Sequence, residues 1–222
     1  MGKLIFSGFD ASPPCRAVKL TLAALQLPYE YVIVNPLTKD QHSPEYLKKN
    51  PQHTIPMLED DGKYIADSHA ISAYLAKKYG KDSSLYPSDV FQSAIVDQRL
   101  HYDSSTLFTS TLMSITKPLI FQGKTEIEKS KIAAIAEAYD LIETFLGDND
   151  YVAGPELTIA DFSFITTICV LMIFLVPDSS KYPKLNAWLK RIKELPYYEE
   201  ASGVGATQLE SLIKSKNFTI EA

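Results

Sequence analysis

A proline at the head of a strand constrains this chain more than any other residue. Ile55 to Glu59 and Lys63 to Ala66 are short apolar runs separated by Asp60-Asp61-Gly62, the pattern of a strand, a tight turn and a returning strand. Pro56 stands at the start of the first run, where it removes one donor from the hydrogen-bonded ladder. Such a loss is tolerable where the neighbouring backbone groups pair with something other than the sheet, such as a bound peptide. In the cis form, the minority state of an X–Pro bond, the Ile55–Pro56 peptide would turn those groups outward. Directly after the hairpin, Asp67-Ser68 opens a helix with Ile71, Tyr74 and Leu75 on one face.

The residues before the hairpin fall into strand, helix and strand. Lys3 to Ser7 is a short apolar strand, and Ala17, Val18, Thr21, Leu22 and Leu25 form a helical stripe behind Ser12-Pro13-Pro14. A serine followed by proline suits a helix start: a side-chain cap, then a residue with no amide to satisfy. Tyr29 to Val34 is a second strand, and the β-α-β order predicts a parallel pair with a crossover helix. Pro44 to Lys49 adds a short helix, so this half reads β-α-β-α-β-β-α.

Gly80 to Ser88 has the composition of a linker, and from Asp89 onward the pattern is helical throughout. Ile95, Tyr102, Phe108, Leu112, Ile115 and Leu119 recur along one long segment. The last four are spaced i+4, i+3 and i+4, and so share a face of an α-helix. Glu126 to Leu146 follows, burying Ile135, Ala138, Ile142 and Phe145. Thr158 and Asp161 fit a capping box with Leu157 and Phe162 at the staple positions, a folding feature with no chemistry assigned. Phe162 to Val176 is the most apolar run, but at 15 residues, broken by Ser163, Thr166 and Thr167, it is too short for a membrane span. Pro183 to Leu195 is a helix that packs Trp188 inward, and the residues after Gly205 form a last short helix and a polar tail.

With 222 residues, 45% of them hydrophobic, the chain can build one large or two small cores. A net charge of −5 argues against a nucleic-acid surface. The two cysteines, Cys15 and Cys169, fit neither a disulfide framework nor a metal site. Residues 1–12 hold no charged-then-apolar leader, so a cytosolic location is expected.

Ser12-Pro13-Pro14-Cys15-Arg16-Ala17-Val18, then Pro51-Gln52-His53-Thr54-Ile55-Pro56, then Asp67-Ser68-His69-Ala70-Ile71 form a recognisable series. Followed by Thr158-Ile159-Ala160-Asp161 and Leu195-Pro196-Tyr197-Tyr198-Glu199-Glu200, this order and spacing resembles the insect epsilon-class (delta/epsilon group) cytosolic glutathione transferases over the whole chain. The resemblance implies an α+β two-domain fold: a thioredoxin-like glutathione-binding domain over 1–80, a linker over 81–88, and an all-helical domain over 89–222 with a pocket for apolar substrates. It also implies conjugation of glutathione to apolar electrophiles, with peroxidase or DDT-dehydrochlorinase chemistry as further activities. Glutathione would be the co-substrate with no other cofactor and no metal. The partners implied are a second copy of the chain, paired through the helices after Asp67 and Asp89, and neither nucleic acid nor membrane.

The roles implied are specific. A thiol of pKa ~8.5 is only a few per cent ionised at neutral pH. Lowering that value by about 2 units takes roughly 2.7 kcal/mol, within reach of one charge-assisted hydrogen bond and a helix dipole. From the residues alone Ser12 is a helix cap; with the resemblance it is the catalytic hydroxyl that donates to the glutathione sulfur, aided by first-turn amides. Ser12, Gln41, His53, Thr54, Ile55, Pro56, Asp67 and Ser68 would hold glutathione. Ser68 and nearby amides suit the γ-glutamyl carboxylate, Asp67 its ammonium, His53 the glycine carboxylate, and the Ile55 backbone the cysteinyl residue. Relatives often carry glutamate where Asp67 stands, and some carry histidine where Gln41 stands, with His42 one residue off that register. Pro14, Leu37, Phe108, Leu112, Ile115 and Leu119 would line the apolar pocket, although some relatives carry arginine where Leu112 stands. The first strand has no tyrosine to serve as the activating hydroxyl, which favours serine. Two rival readings stay open: a non-catalytic ligand carrier on the same scaffold, and a Cys15-dependent thiol oxidoreductase. Against the second, Cys15 lies a full turn inside the helix and no second cysteine completes a Cys-x-x-Cys.

Overall fold

The computed structural model describes residues 2–221. Strand β1 (Leu4–Gly8) lies inside a four-stranded sheet, running parallel to β2 (Glu30–Ile33) and antiparallel to β3 (Met57–Asp60). Helix α1 (Pro13–Ala24) is the crossover between the parallel strands. Strand β4 (Lys63–Ala66) returns beside β3 as a hairpin, and its turn residues Asp61 and Gly62 both have positive φ, 48° and 73°. A two-residue turn of that hand is what an Asp-Gly pair favours. Pairing with β1 begins at Ser7↔Met57, so β3 starts at Met57 rather than at Ile55. Pro56 has no amide to contribute, and the Ile55–Pro56 bond is cis.

Side chains of β3 alternate between faces as a strand requires. Leu58 joins Leu4, Phe6, Val18, Ile71 and Leu75 under α1 and α3 (Ser68–Tyr79). Met57 instead packs with Tyr46 of α2 (Pro44–Lys49) and Val34. Asp60, at the end of β3, is buried, and one of its carboxylate oxygens accepts from Tyr74, Lys78 and Tyr79 of α3, each at 2.7 Å.

After Gly80 the described residues form helices joined by turns, together with two short strands. Helix α4 (Val90–Tyr102) runs into a π-helical stretch, Asp103–Leu112, and then α5 (Met113–Phe121). Thr109 and Ser110 donate their hydroxyls to the carbonyls of Ser104 and Ser105, five residues back, at 2.5 and 2.8 Å. The expected long segment is therefore continuous, but its middle winds more widely than an α-helix. Next come β5 (Glu126–Ile127), α6 (Lys129–Leu146), α7 (Ile159–Leu171), α8 (Pro183–Lys193), a π-helical turn at Glu199–Gly203, α9 (Val204–Lys214) and β6 (Thr219–Ile220). Two expectations are corrected here. Helix α6 begins at Lys129, not Glu126, and the polar tail forms a strand parallel to β5. Strands of two residues are too short to show alternation in a sequence.

Every residue of α7 except Cys169 is buried, which explains its near-continuous apolar run. The capping box is present at its start. Asp161 accepts from the amide of Thr158 at 2.9 Å, and its other oxygen accepts from the Val152 amide and from Trp188 Nε1, both at 2.9 Å. Helix α7 packs against α1, and Arg16 of α1 donates to the carbonyls of Ala11 at 2.8 Å and Thr166 at 3.1 Å. Among the described residues no helix is long and apolar enough to cross a membrane.

The Asp60 cluster generates a pH prediction. Burial alone would raise the pKa of this carboxyl, but the bonds from Lys78, Tyr79 and Tyr74 outweigh it and hold the value at about 2. An unfolded aspartate titrates near ~3.9. The folded carboxylate is the weaker proton acceptor, so its contribution is complete above that value and is lost as pH falls toward 2. The shift is worth about 2 kcal/mol. Urea titrations at pH 6 and pH 2.5 should show wild type losing about 2 kcal/mol more than Asp60→Asn between the two conditions. Equal losses would show that the carboxylate is not the source.

Candidate active site

Ser12 caps α1 with extended dihedrals (φ −78°, ψ 120°), yet its hydroxyl makes no capping bond. A capping side chain accepts from the second or third helical residue. The first two here are prolines, so Pro14 removes the first of these donors and leaves the Cys15 amide as the other. Those prolines also mean that Cys15 supplies the only first-turn amide, a correction to the expectation that several amides would act there. The Ser12 hydroxyl is left free to donate elsewhere.

Ser12 opens onto a cavity of about 210 Å³ whose other walls are apolar: Phe9, Ala11, Leu37, Ile55, Phe108, Leu112, Ile120, Leu209 and Leu212 among them. A second, more polar cavity of about 260 Å³ lies between the two halves of the chain. Pro14, Gln52, Thr54, Ile55, Pro56, Asp67, Ser68 and His69 face Asp103, Ser104, Phe108, Thr109 and Ser163 across it. Ile55 and Phe108 line both cavities, which therefore adjoin. The loop carrying Ile55 is fixed from behind, because the Thr54 carbonyl accepts from Tyr46 Oη at 2.6 Å and Asn50 Nδ2 at 2.8 Å.

At the far end of the polar cavity Asp67 caps α3. It sits at φ 78°, unusual for a non-glycine residue, and one carboxylate oxygen accepts from the amides of His69 and Ala70 at 3.0 Å. That oxygen is thereby committed to the helix. Opposite it, Ser163 Oγ lies 2.5 Å from Asp103 Oδ2, His69 Nε2 lies 2.6 Å from Ser163 Oγ, and Asp103 Oδ2 is 3.3 Å from the same ring nitrogen. Ser163 donates its one hydroxyl hydrogen to the Asp103 carboxylate, so in this arrangement His69 Nε2 carries the hydrogen that is donated to Ser163 Oγ. The arrangement is not an acyl-transfer relay, because aspartate and serine meet the same ring nitrogen. Asp103 is 4% exposed, lines the cavity, and its Oδ1 is buried without a partner.

The structure separates the expected site residues into groups. Thr54, Ile55, Pro56, Asp67 and Ser68 come together around the polar cavity, as does Pro14, expected in the apolar one. Ser12, Leu37, Phe108 and Leu112 line the apolar cavity. Gln41 and His53 lie off both walls. Gln41 has a buried, unpartnered Oε1, and His53 is exposed with its ring stacked on His42 at 4.7 Å. Ile115 and Leu119 are a correction: both are buried but turned away from the apolar cavity, whose α5 wall is Met113, Thr116, Ile120 and Phe121. The i+4, i+3, i+4 spacing counts α-helical turns. The π-helical stretch advances fewer degrees per residue, so everything after it is rotated relative to Phe108.

Sequence reasoning missed His69, Asp103 and Ser163. Ser163 did carry a signal, as the first polar break in the most apolar run. Cys15 is also corrected: it is the third residue of α1, within the first turn rather than a full turn inside. Its side chain points into the core, and burial pushes the thiol up to about 11, with the Ser12 hydroxyl and Phe9 amide only partly offsetting this. That is the opposite of an activated thiol. Among the described residues no group of three or more His, Cys, Asp or Glu is placed to hold a metal ion. Mass-spectrometric mapping of iodoacetamide labelling in the folded state at pH 8 should find Cys169 modified and Cys15 untouched until denaturant is added. Labelling of Cys15 at the rate of a free thiol would overturn this assignment.

The family model described as glutathione S-transferase, N-terminal domain, matches residues 6–83, and that described as glutathione S-transferase, C-terminal domain, matches residues 95–196. The fold is similar to isozyme E7 of the glutathione S-transferases of Drosophila melanogaster. The two are 59% identical, with a TM-score of 0.97 over 99% of this chain and 100% of that one. A glutathione transferase homologue from Drosophila mojavensis, solved with bound glutathione, is 57% identical with a TM-score of 0.96, covering 99% and 100% of the two chains. An epsilon-class glutathione S-transferase from the housefly, Musca domestica, is 55% identical with a TM-score of 0.97, covering 98% and 100%.

Proposed function

The chain belongs to the glutathione S-transferase family, in its insect epsilon/delta group, and is a transferase that conjugates glutathione to electrophiles; from that premise we propose how its own residues divide the work. One observation carries the reading. The Ser12 hydroxyl, which makes no capping bond to its helix, lines an apolar cavity that adjoins a polar one across Ile55 and Phe108.

Glutathione occupies the polar cavity, and the Drosophila mojavensis homologue was solved with glutathione bound. The γ-glutamyl carboxylate meets Ser68 at the start of α3. Asp67 has one oxygen committed to the helix, so the ammonium is shared with the unpartnered Asp103 Oδ1. The cysteinyl residue pairs with the Ile55 backbone, and His53, the next residue but one before Ile55, is the donor for the glycine carboxylate. The sulfur then lies toward Ser12. With two first-turn amides absent, the hydroxyl is the main group favouring thiolate over thiol. An apolar electrophile fills the neighbouring cavity. The thiolate forms the carbon–sulfur bond, and the leaving group departs with its electron pair. The same thiolate attacking a peroxide oxygen breaks the O–O bond, releases the alkoxide and leaves a sulfenic glutathione. A second glutathione reduces that product to the disulfide and water, which is peroxidase activity. Taking a proton from a chlorinated substrate such as DDT instead forms the alkene as chloride departs, which is dehydrochlorination. A homodimer is part of the reading. Val90 and Phe91, at the head of α4, are 82% and 70% exposed, an apolar pair suited to cover by a second copy. The Cys15 alternative loses support from its burial, and a carrier without catalysis would have no use for a free Ser12 hydroxyl.

Ser12→Ala should lower kcat at pH 6.5 at least tenfold, ~1.4 kcal/mol, with little change in KM for glutathione. An unchanged kcat, with a chlorinated nitrobenzene as electrophile, would remove Ser12 from the mechanism. Asp103→Asn should raise the Kd for glutathione about tenfold. It should leave the Kd of an analogue lacking the α-amino group unaffected. Calorimetry that finds both ligands weakened equally would mean Asp103 shapes the cavity without meeting the ammonium.

A further inference from the structure

The apolar cavity has two walls that belong to distant parts of the chain. Thr116, Ile120 and Phe121 come from α5, and Leu209 and Leu212 come from α9. Each wall is followed by a short turn over residues 122–125 or 215–218, and each turn leads into one strand of the β5–β6 pair. Gly123 and Asn217, at φ 68° and 50°, bend the two turns. The pair is built from backbone bonds: the Thr219 amide donates to the Thr125 carbonyl at 2.8 Å, and the Glu221 amide to the Ile127 carbonyl at 3.0 Å. A third bond runs from the Lys129 amide, at the start of α6, to Glu221 Oε2 at 3.1 Å. Ile127 is buried beneath the pair and Thr219 and Ile220 are exposed, so the strand itself is held by its ladder, while Phe218 just before it packs on Phe174 with ring centroids 5.2 Å apart.

We propose that the β5–β6 pair is a clasp that fixes the spacing of α5 and α9, and thereby sets the largest electrophile the apolar cavity admits. The proposal rests on the reading of that cavity as the electrophile site. Without the clasp, the end of α5 is joined to the next helix only by a bent turn, and the segment after α9 keeps only the Phe218–Phe174 ring contact to hold it. Helix ends held by few buried contacts open locally at low free energy. The wall pair then yields to a bulky substrate while the polar cavity, which takes no residue from α5 or α9, keeps its affinity for glutathione.

The test uses the full chain. Thr219→Pro removes the amide that donates to Thr125 and leaves an exposed side-chain position exposed. Thr219→Ala keeps the amide and serves as control, and Glu221→Pro removes the second bond independently should the first variant fold poorly. Two chloronitroarenes with the same leaving group, one small and one with a bulky ring substituent, are compared. Both proline variants should raise the bulky-to-small ratio of kcat/KM about threefold or more, with KM for glutathione unchanged and Thr219→Ala behaving as wild type. A lowered melting temperature with an unchanged ratio would overturn the clasp, leaving the strand pair a stabilising feature only. Leu209→Trp separates the underlying reading, since a filled cavity must depress turnover of the bulky arene more than the small one. If both arenes keep full turnover in that variant, the cavity is not the electrophile site and the proposal falls with it.

Discussion

The contact between α1 and α7 determines where everything else in the molecule can stand. Arg16 is fully buried in that contact, and its guanidinium reaches two carbonyls, one within its own loop and one on α7. Burial lowers its pKa, the cost of taking a cation out of water, and the carbonyl dipoles offset part of that cost. Moving either carbonyl away would leave a buried guanidinium donor unpaired, so the contact holds α1 and α7 in one geometry. The same helix that carries Arg16 begins at Ser12. Fixing α1 on α7 therefore fixes the hydroxyl against the helical half. It also brings Thr166, the Arg16 acceptor, and Ser163 to the wall of the polar cavity.

Electrostatics at Ser12 follow from the chain's covalent chemistry. Two consecutive prolines start a helix well but leave it with a single first-turn amide, so the N-terminal end has less to offer an anion than most helices. They also remove one of the two amides that a capping hydroxyl can accept from, and the Ser12 hydroxyl makes no capping bond. A single pair of residues thus weakens one source of thiolate stabilisation and frees another. The buried thiol of Cys15, in the same first turn, shows how strongly burial disfavours an anion that is not turned toward the cavity.

How much of this could be read from the residues differs between elements for physical reasons. The Asp61-Gly62 turn, the Thr158–Asp161 box and the all-round burial of α7 follow from local rules, so their positions were predictable to within a residue or two. The cluster of His69, Asp103 and Ser163 was not, because its members lie on three helices and no local pattern connects them. The β5–β6 pair escaped for a similar reason: two residues per strand offer no periodicity, and its bonds are between backbones. The wall of the apolar cavity was half legible. Phe108 and Leu112 do line that cavity, whereas Ile115 and Leu119 were chosen by an α-helical count that the π-helical stretch does not obey.

That stretch has a consequence for how such a cavity can diversify. In a loop, losing or gaining one residue changes a length. In a continuous helical rod it changes an angle, because everything downstream turns together about the axis. Deleting a single residue between Asp103 and Leu112 would restore the narrower winding and carry Ile115 and Leu119 toward the cavity in place of Thr116 and Ile120. An entire wall would be exchanged at one step, with no substitution at any position that lines it. Lineages descended from a fold of this kind can therefore be expected to differ by small insertions and deletions in this segment, each an axial rotation of the substrate-facing surface.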